Sequence, residues 1–168
     1  NLDITVGDVT GATYGIDANN RGTGATLVTA TGTVTGRGGD GVFAANNGTD
    51  LTISAASVSG GRTGIAAQNS RGALSITSTD DVTGGSGDGI SASNSGTGLT
   101  ITTAAVSGGF VGINAQNSGG ALSIRSTGDV TGDYFAGIFA RNEGTDLTIS
   151  AASVSGETDG IYARNNGS

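Results

Sequence analysis

Asp50–Gly60 reads DLTISAASVSG, and Asp146–Gly156 reads the same eleven residues. A verbatim return of this kind marks an internal repeat, and a repeat constrains the fold before any local propensity does. Working outward from the two copies, Leu51–Gly98 aligns with Leu99–Asp146 without a gap. The repeating unit is therefore long, and it splits into two similar coils.

Seven coils follow from the apolar landmarks. A pair opens each coil near positions 2, 26, 51, 74, 99, 122 and 147: Leu2/Ile4, Thr26/Val28, Leu51/Ile53, Leu74/Ile76, Leu99/Ile101, Leu122/Ile124 and Leu147/Ile149. A valine comes next in every coil (Val9, Val34, Val58, Val82, Val106, Val130, Val154), with glycine two residues after it. The coil closes on G-[IV]-x-A-x-N, from Ile16 and Ala18 in the first to Ile161 and Ala163 in the last. From Leu51 the spacing between leading leucines alternates 23, 25, 23, 25. L-x-I, the lone valine and I-x-A alternate with period two, as half-buried strands do, and Gly/Asn clusters separate them. No segment has apolar i, i+3, i+4 spacing. The pattern predicts an all-β chain of about seven coils with three short strands per coil, one β-helix (solenoid) segment over residues 1–168.

Stacking is what makes such a pattern stable. Burying one large aliphatic side chain contributes about 1.5–3 kcal/mol, and ordering one residue costs about 1.5 kcal/mol. A lone coil with some five inward side chains is therefore far from stable, and each strand must pair with the coils above and below it. At about 4.8 Å per coil, seven coils give a rod of roughly 30 Å. The glycine before each Ile is expected to supply a corner conformation that a Cβ would resist. An asparagine column, Asn20, Asn46, Asn69, Asn94, Asn117, Asn142 and Asn165, reads as a ladder of amides bonded from coil to coil. The competing reading is a row of solvated turn asparagines in left-handed backbone.

Composition narrows the partners. The 168 residues include 33 Gly and no Pro, Cys, Met, Trp or His, and the seven positive charges are all Arg against 14 acids, a net charge of -7. That balance argues against nucleic acid, which needs a basic stripe, and against anionic lipid. No apolar run approaches the roughly 20 residues of a membrane span, so direct membrane insertion is not expected. The opening Asn1-Leu2-Asp3 has no charged n-region or apolar h-region. The ends carry no polar cap, so the chain reads as an interior segment of a longer protein whose open ends would associate in isolation.

The phrases GDVTG (Gly7–Gly11, Gly128–Gly132), ALSI (Ala73–Ile76, Ala121–Ile124), AGIFARNEGTDLTI (Ala136–Ile149) and DGIYARNNG (Asp159–Gly167) resemble the repeats of bacterial autotransporter passenger domains. The resemblance covers essentially the whole chain. It implies a right-handed parallel β-helix, displayed on the cell surface after export across the outer membrane and serving as an adhesive or virulence-associated stalk. It also implies an export signal and an outer-membrane β-barrel, neither of which lies in this sequence. No catalytic motif of the family maps onto any position here.

Acid/base or nucleophilic catalysis needs clustered unlike groups, and the chain lacks His, Cys and Lys. Asp8, Asp81 and Asp129 share a column just before the valine, but in coils separated by Thr, Ser or Ala, with no Arg in that column. They read as a solvated face, and no enzyme activity is expected. Asp40 and Asp88 stand in Gly-rich stretches that echo part of a calcium β-roll. They lie two coils apart rather than at the nine-residue period of that motif, so they read as corner turns. No metal and no cofactor is expected.

Two surfaces remain. Thr52/Ser54, Ser75/Thr77, Thr100/Thr102 and Thr148/Ser150 flank the inward Ile and form ranks of outward hydroxyls, an arrangement like that of ice-binding solenoids, interrupted by Leu27 and Arg125. Aromatic residues gather late in the chain: Phe110, Tyr134, Phe135, Phe139 and Tyr162 fall near one edge of coils five to seven. Exposed aromatic clusters mark partner surfaces, but rings also cover corners by packing on each other. As a binding patch, this edge would meet a protein or glycan of a host or neighbouring cell, or a second copy of the rod.

Overall fold

The computed structural model describes residues 1–167, which contain β-strands and turns and no helix. All strand pairs are parallel, and each joins one coil to the next, so the chain is a β-solenoid of seven coils. The I-x-A-x-N segments form one seven-stranded sheet: Ile16–Asn20, Val42–Asn46, Ile65–Asn69, Ile90–Asn94, Ile113–Asn117, Ala136–Asn142 and Asp159–Asn165. Like residues stack on like, with Ile90 on Ile65 and Ile113, and Ala92 on Ala67 and Ala115.

The L-x-I and V-x-G segments make a second, ten-stranded sheet that bends through two faces. In coils one, four and five these faces are separate strands: Leu2–Val6 and Val9–Gly11, Ala73–Ser78 and Val82–Gly84, Gly98–Thr103 and Val106–Gly108. In the other coils the chain turns the corner without breaking the ladder, and the two faces form one strand of 10 or 11 residues: Thr26–Gly36, Leu51–Gly60, Leu122–Gly132 and Leu147–Gly156. Three faces per coil are present throughout, although the number of separate strands drops to two in four coils.

The alternating coil length has a structural basis. A long coil carries one extra residue between its Leu and Val positions (Leu122 to Val130 against Leu99 to Val106) and one more between Val and Ile (Val130 to Ile138 against Val106 to Ile113). In coils two and six the first becomes a β-bulge, where the register slips between Ala30 and Thr33 and again between Ser126 and Asp129. The second lengthens the next corner.

The core is a set of aliphatic columns. Leu51, Ile53, Val58, Ile65 and Ala67 of coil three are almost completely buried, as are their counterparts in coils four to six. Two further inward columns were not expected from the sequence. One contains Ala30, Ala55, Ser78, Thr103 and Ser126 at the corner between the first two faces. Here Ser126 Oγ donates to Ala104 O at 2.6 Å, which satisfies a hydroxyl that would otherwise be costly to bury. The other contains Asp40, Thr63, Val111 and Ala136 just before the Gly-Ile step.

The glycine before each Ile serves a different purpose from the one expected. None of these glycines has positive φ, which occurs only at Gly72 and Gly120 among the described residues (both 66°). What matters at the Gly-Ile step is space. A Cβ on Gly64 would lie 2.5 Å from Gly89 O and 2.6 Å from Val82 Cγ1, and one on Gly89 would lie 2.5 Å from Val106 Cγ1. The next coil packs directly onto the glycine backbone.

Candidate functional site

The asparagine column lies where the third face turns back towards the first. Each Nδ2 donates to Oδ1 of the next coil: Asn20 to Asn46 at 2.9 Å, Asn46 to Asn69 at 2.8 Å, Asn69 to Asn94 at 3.1 Å, Asn94 to Asn117 at 3.1 Å, Asn117 to Asn142 at 2.9 Å and Asn142 to Asn165 at 3.1 Å. The five interior members are at most 3% exposed. Their second amide hydrogens reach carbonyls of the same corner, as Asn94 Nδ2 does at Gly98 O (2.7 Å) and Asn142 Nδ2 at Asp146 O (3.1 Å). Among the described residues no non-glycine residue has positive φ, so these asparagines do not occupy left-handed turn positions. The column is a hydrogen-bonded spine of the fold.

The five late aromatics form one connected chain of rings. Tyr134 stacks on Phe110 (centroids 5.6 Å apart), Phe110 on Phe135 (6.0 Å), Phe135 tilts against Phe139 (6.1 Å), and Phe139 lies flat on Tyr162 (5.0 Å). Their places follow from the coil. Phe110 and Phe135 share a corner column, where Phe135 N donates to Phe110 O at 3.0 Å. Phe139 and Tyr162 are register partners on the third face, with side chains alternating outward. Tyr134 is 70% exposed and Phe110 43%, while the other three are half-buried. Phe110, Val111, Asn114, Gln116, Phe135 and Phe139 line a groove of about 300 Å³. A smaller aromatic contact, Tyr14 with Phe43 at 5.9 Å, occupies the same edge in the first two coils.

Asn114 and Gln116 did not stand out in the sequence. Both are outward members of the strand Ile113–Asn117. Asn114 Nδ2 donates to Asp88 Oδ2 at 3.0 Å, and Asn114 Oδ1 is buried without a hydrogen-bond partner. Burial pushes the Asp88 carboxyl above the usual carboxylate range, against the opposing hydrogen bonds from Asn114, Ser91 and the Val111 backbone.

The two Gly-rich acids are unlike each other. Asp40, expected in a corner turn, is completely buried. Its Oδ2 accepts from Arg62 Nη2 at 2.7 Å and its Oδ1 from Thr63 N at 3.3 Å. Asp88 is its counterpart in the next repeat, half-buried and with no arginine beside it, because the counterpart of Arg62 is Phe110.

Other sequence candidates gather no chemistry. Asp81 and Asp129 line a shallow groove with Val82, Val106 and Thr131, and among the described residues no third acid, His or Cys joins them. Among the described residues no group of three or more His, Cys, Asp or Glu is placed to hold a metal ion. The outward hydroxyls stack in register, Thr52 on Ser75 on Thr100 and Ser54 on Thr77 on Thr102, with Leu27 and Arg125 in the same ranks. The chain matches no protein-family model, and comparison with curated proteins and with solved structures found no match.

Proposed function

We propose that this solenoid is a structural and adhesive segment of an exported surface protein, acting as a rigid spacer that presents the aromatic edge of coils five to seven to a partner. The observation that carries the reading is the ring chain from Tyr134 to Tyr162, which keeps Tyr134 and Phe110 exposed beside an open groove. Rings that only covered a corner would have no reason to leave Tyr134 so open to water. The inward columns repeat from coil to coil, whereas the outward positions vary, and variation on a rigid scaffold is where recognition resides. The resemblance to autotransporter passengers supports surface display.

A double substitution of Phe110→Ala and Phe135→Ala tests this reading. It should abolish attachment to cells or self-association while leaving the β circular-dichroism spectrum intact. Unchanged attachment with intact structure would refute the adhesive edge. The stacked hydroxyl ranks favour a second reading, ice binding, but Leu27 and Arg125 break the flat array. Thermal hysteresis in a dilute solution would establish that reading, and its absence would remove it.

A further inference from the structure

The two-coil repeat places two homologous corners in one molecule, and only one of them is complete. In the first, Arg62 of coil three reaches back to Asp40 of coil two, closing a 2.7 Å ion pair. Gly39, beside Asp40, contributes no side chain there. Backbone hydrogen bonds run up this corner column from Gly39 to Arg62, Gly87, Phe110 and Phe135. In the second corner Asp88 takes the place of Asp40, Gly87 that of Gly39 and Phe110 that of Arg62. The carboxylate and the gap left by glycine are retained, and the guanidinium has been exchanged for an aromatic ring.

The surroundings of the second corner lack a cation of their own. Among the described residues Arg141, in register with Gln116, is paired with Glu143 at 3.0 Å, and Arg62 with Asp40. The groove lining contains no charged residue. It offers Phe110, Phe135 and Phe139, the amides of Asn114 and Gln116, and a hydrogen bond from Asn114 to Asp88. The ring partners of Phe110 both come from coil six, and coil four places Ser86 and Gly87 at its corner, so no ring lies against Phe110 from that side.

We infer that the groove lined by Phe110, Asn114 and Gln116, next to the Asp88 carboxylate to which Asn114 donates, takes an arginine side chain of a partner protein, whose guanidinium replaces the one that Arg62 supplies in the first corner. This rests on the adhesive reading above and names its ligand chemistry. A guanidinium is planar and weakly hydrated, so it stacks on an aromatic face while donating to a carboxylate. The exposed Gln116 provides a carbonyl oxygen for a remaining N–H group. The net charge of -7 favours approach of a basic partner.

The test uses the peptide acetyl-Gly-Arg-Gly-amide and its citrulline counterpart, which has nearly the same shape and no charge. Side-chain amide NMR resonances of Asn114 and Gln116 report occupancy. The arginine peptide should shift both and the citrulline peptide neither, and Asp88→Asn should weaken binding at least tenfold. Phe110→Arg should abolish binding by restoring the internal pair. Equal responses to the two peptides, or unaltered binding by Asp88→Asn, would overturn the inference. So would a neutral oligosaccharide that shifts these resonances when the arginine peptide does not. If the Phe110→Ala/Phe135→Ala protein loses attachment but the wild type ignores the arginine peptide, the ligand assignment falls and the adhesive edge stands. If attachment is unchanged while the arginine peptide binds, the adhesive reading falls and the cation site stands.

Discussion

Asn94 donates to Asn117 Oδ1 across 3.1 Å with both side chains sealed from water, and Asn69 donates in the same way to Asn94. Removing Asn94 therefore leaves Asn117 Oδ1 without its donor and takes one acceptor from Asn69 Nδ2, which keeps Arg71 O and Ala73 O. An unpaired buried polar group costs about 1–3 kcal/mol. Asn94→Ala should lower the urea midpoint clearly, and Asn94→Ala/Asn117→Ala should cost less than the sum of the single changes, because they share a bond. Urea titration of the three variants checks both statements.

Close stacking at the Gly-Ile step gives a second expectation. Gly64→Ala forces a Cβ against Gly89 O and Val82 Cγ1, both inside 3 Å. Overpacking of this kind costs about 1–3 kcal/mol. Gly7→Ala is the control, since nothing lies within 4 Å of its added Cβ. Chemical denaturation should separate the two, with Gly7→Ala within about 0.5 kcal/mol of wild type.

The Asp40–Arg62 pair should be asymmetric under mutation. Arg62→Ala leaves a completely buried carboxylate with only the Thr63 amide for company. Breaking a buried pair from one side is strongly destabilising, but the Arg62 side chain is 57% exposed, so water replaces part of what it provides. A loss of about 1–2 kcal/mol is expected, and Asp40→Asn/Arg62→Ala should recover much of it. A double-mutant cycle read by denaturant midpoint tests the pair.

Asp88 makes stability depend on pH in the direction opposite to a paired acid. Its folded pKa lies above the unpaired value of 3.8 because burial disfavours the charge. The folded chain thus holds its proton more tightly than the unfolded chain. This contribution is fully present below pH 3.8 and is lost as pH rises through the higher folded value. Asp88→Asn removes the charge without removing the shape, so it should raise the midpoint at neutral pH. The gain should shrink as pH falls to the unfolded pKa, and melting curves across that range give the sign directly.

The architecture was legible because its two periods are written in the residues. Leu51-x-Ile53 and Ile65-x-Ala67 alternate as half-buried strands must, and the verbatim return of DLTISAASVSG implies stacking. Ser78, Thr103 and Ser126 escape such a reading because small hydroxyl residues look like surface, and only the closed coil shows them turned inward. Asp40 misleads for a related reason. An acid between glycines suggests a solvated turn, and its partner Arg62 is distant in sequence and adjacent only after stacking. The aromatic edge could be placed from coil spacing, since corner and outward positions are fixed by register. Its neighbours Asn114 and Asp88 could not, because a hydrogen bond between positions a full coil apart leaves no local signature. The correspondence of Asp40 with Asp88 and of Arg62 with Phe110, one repeat apart, was present in the letters and would have flagged the site.

Every rung of this ladder, backbone and amide alike, lies along the rod and links one coil only to its neighbours. A pull along the rod therefore loads the rungs end on, and the terminal coil bears the strain before those behind it. The molecule should yield like a zip, one coil at a time, rather than shear as a block. Each step frees about 80 Å of chain, so a tethered rod lengthens in increments under load while its remaining coils keep their shape.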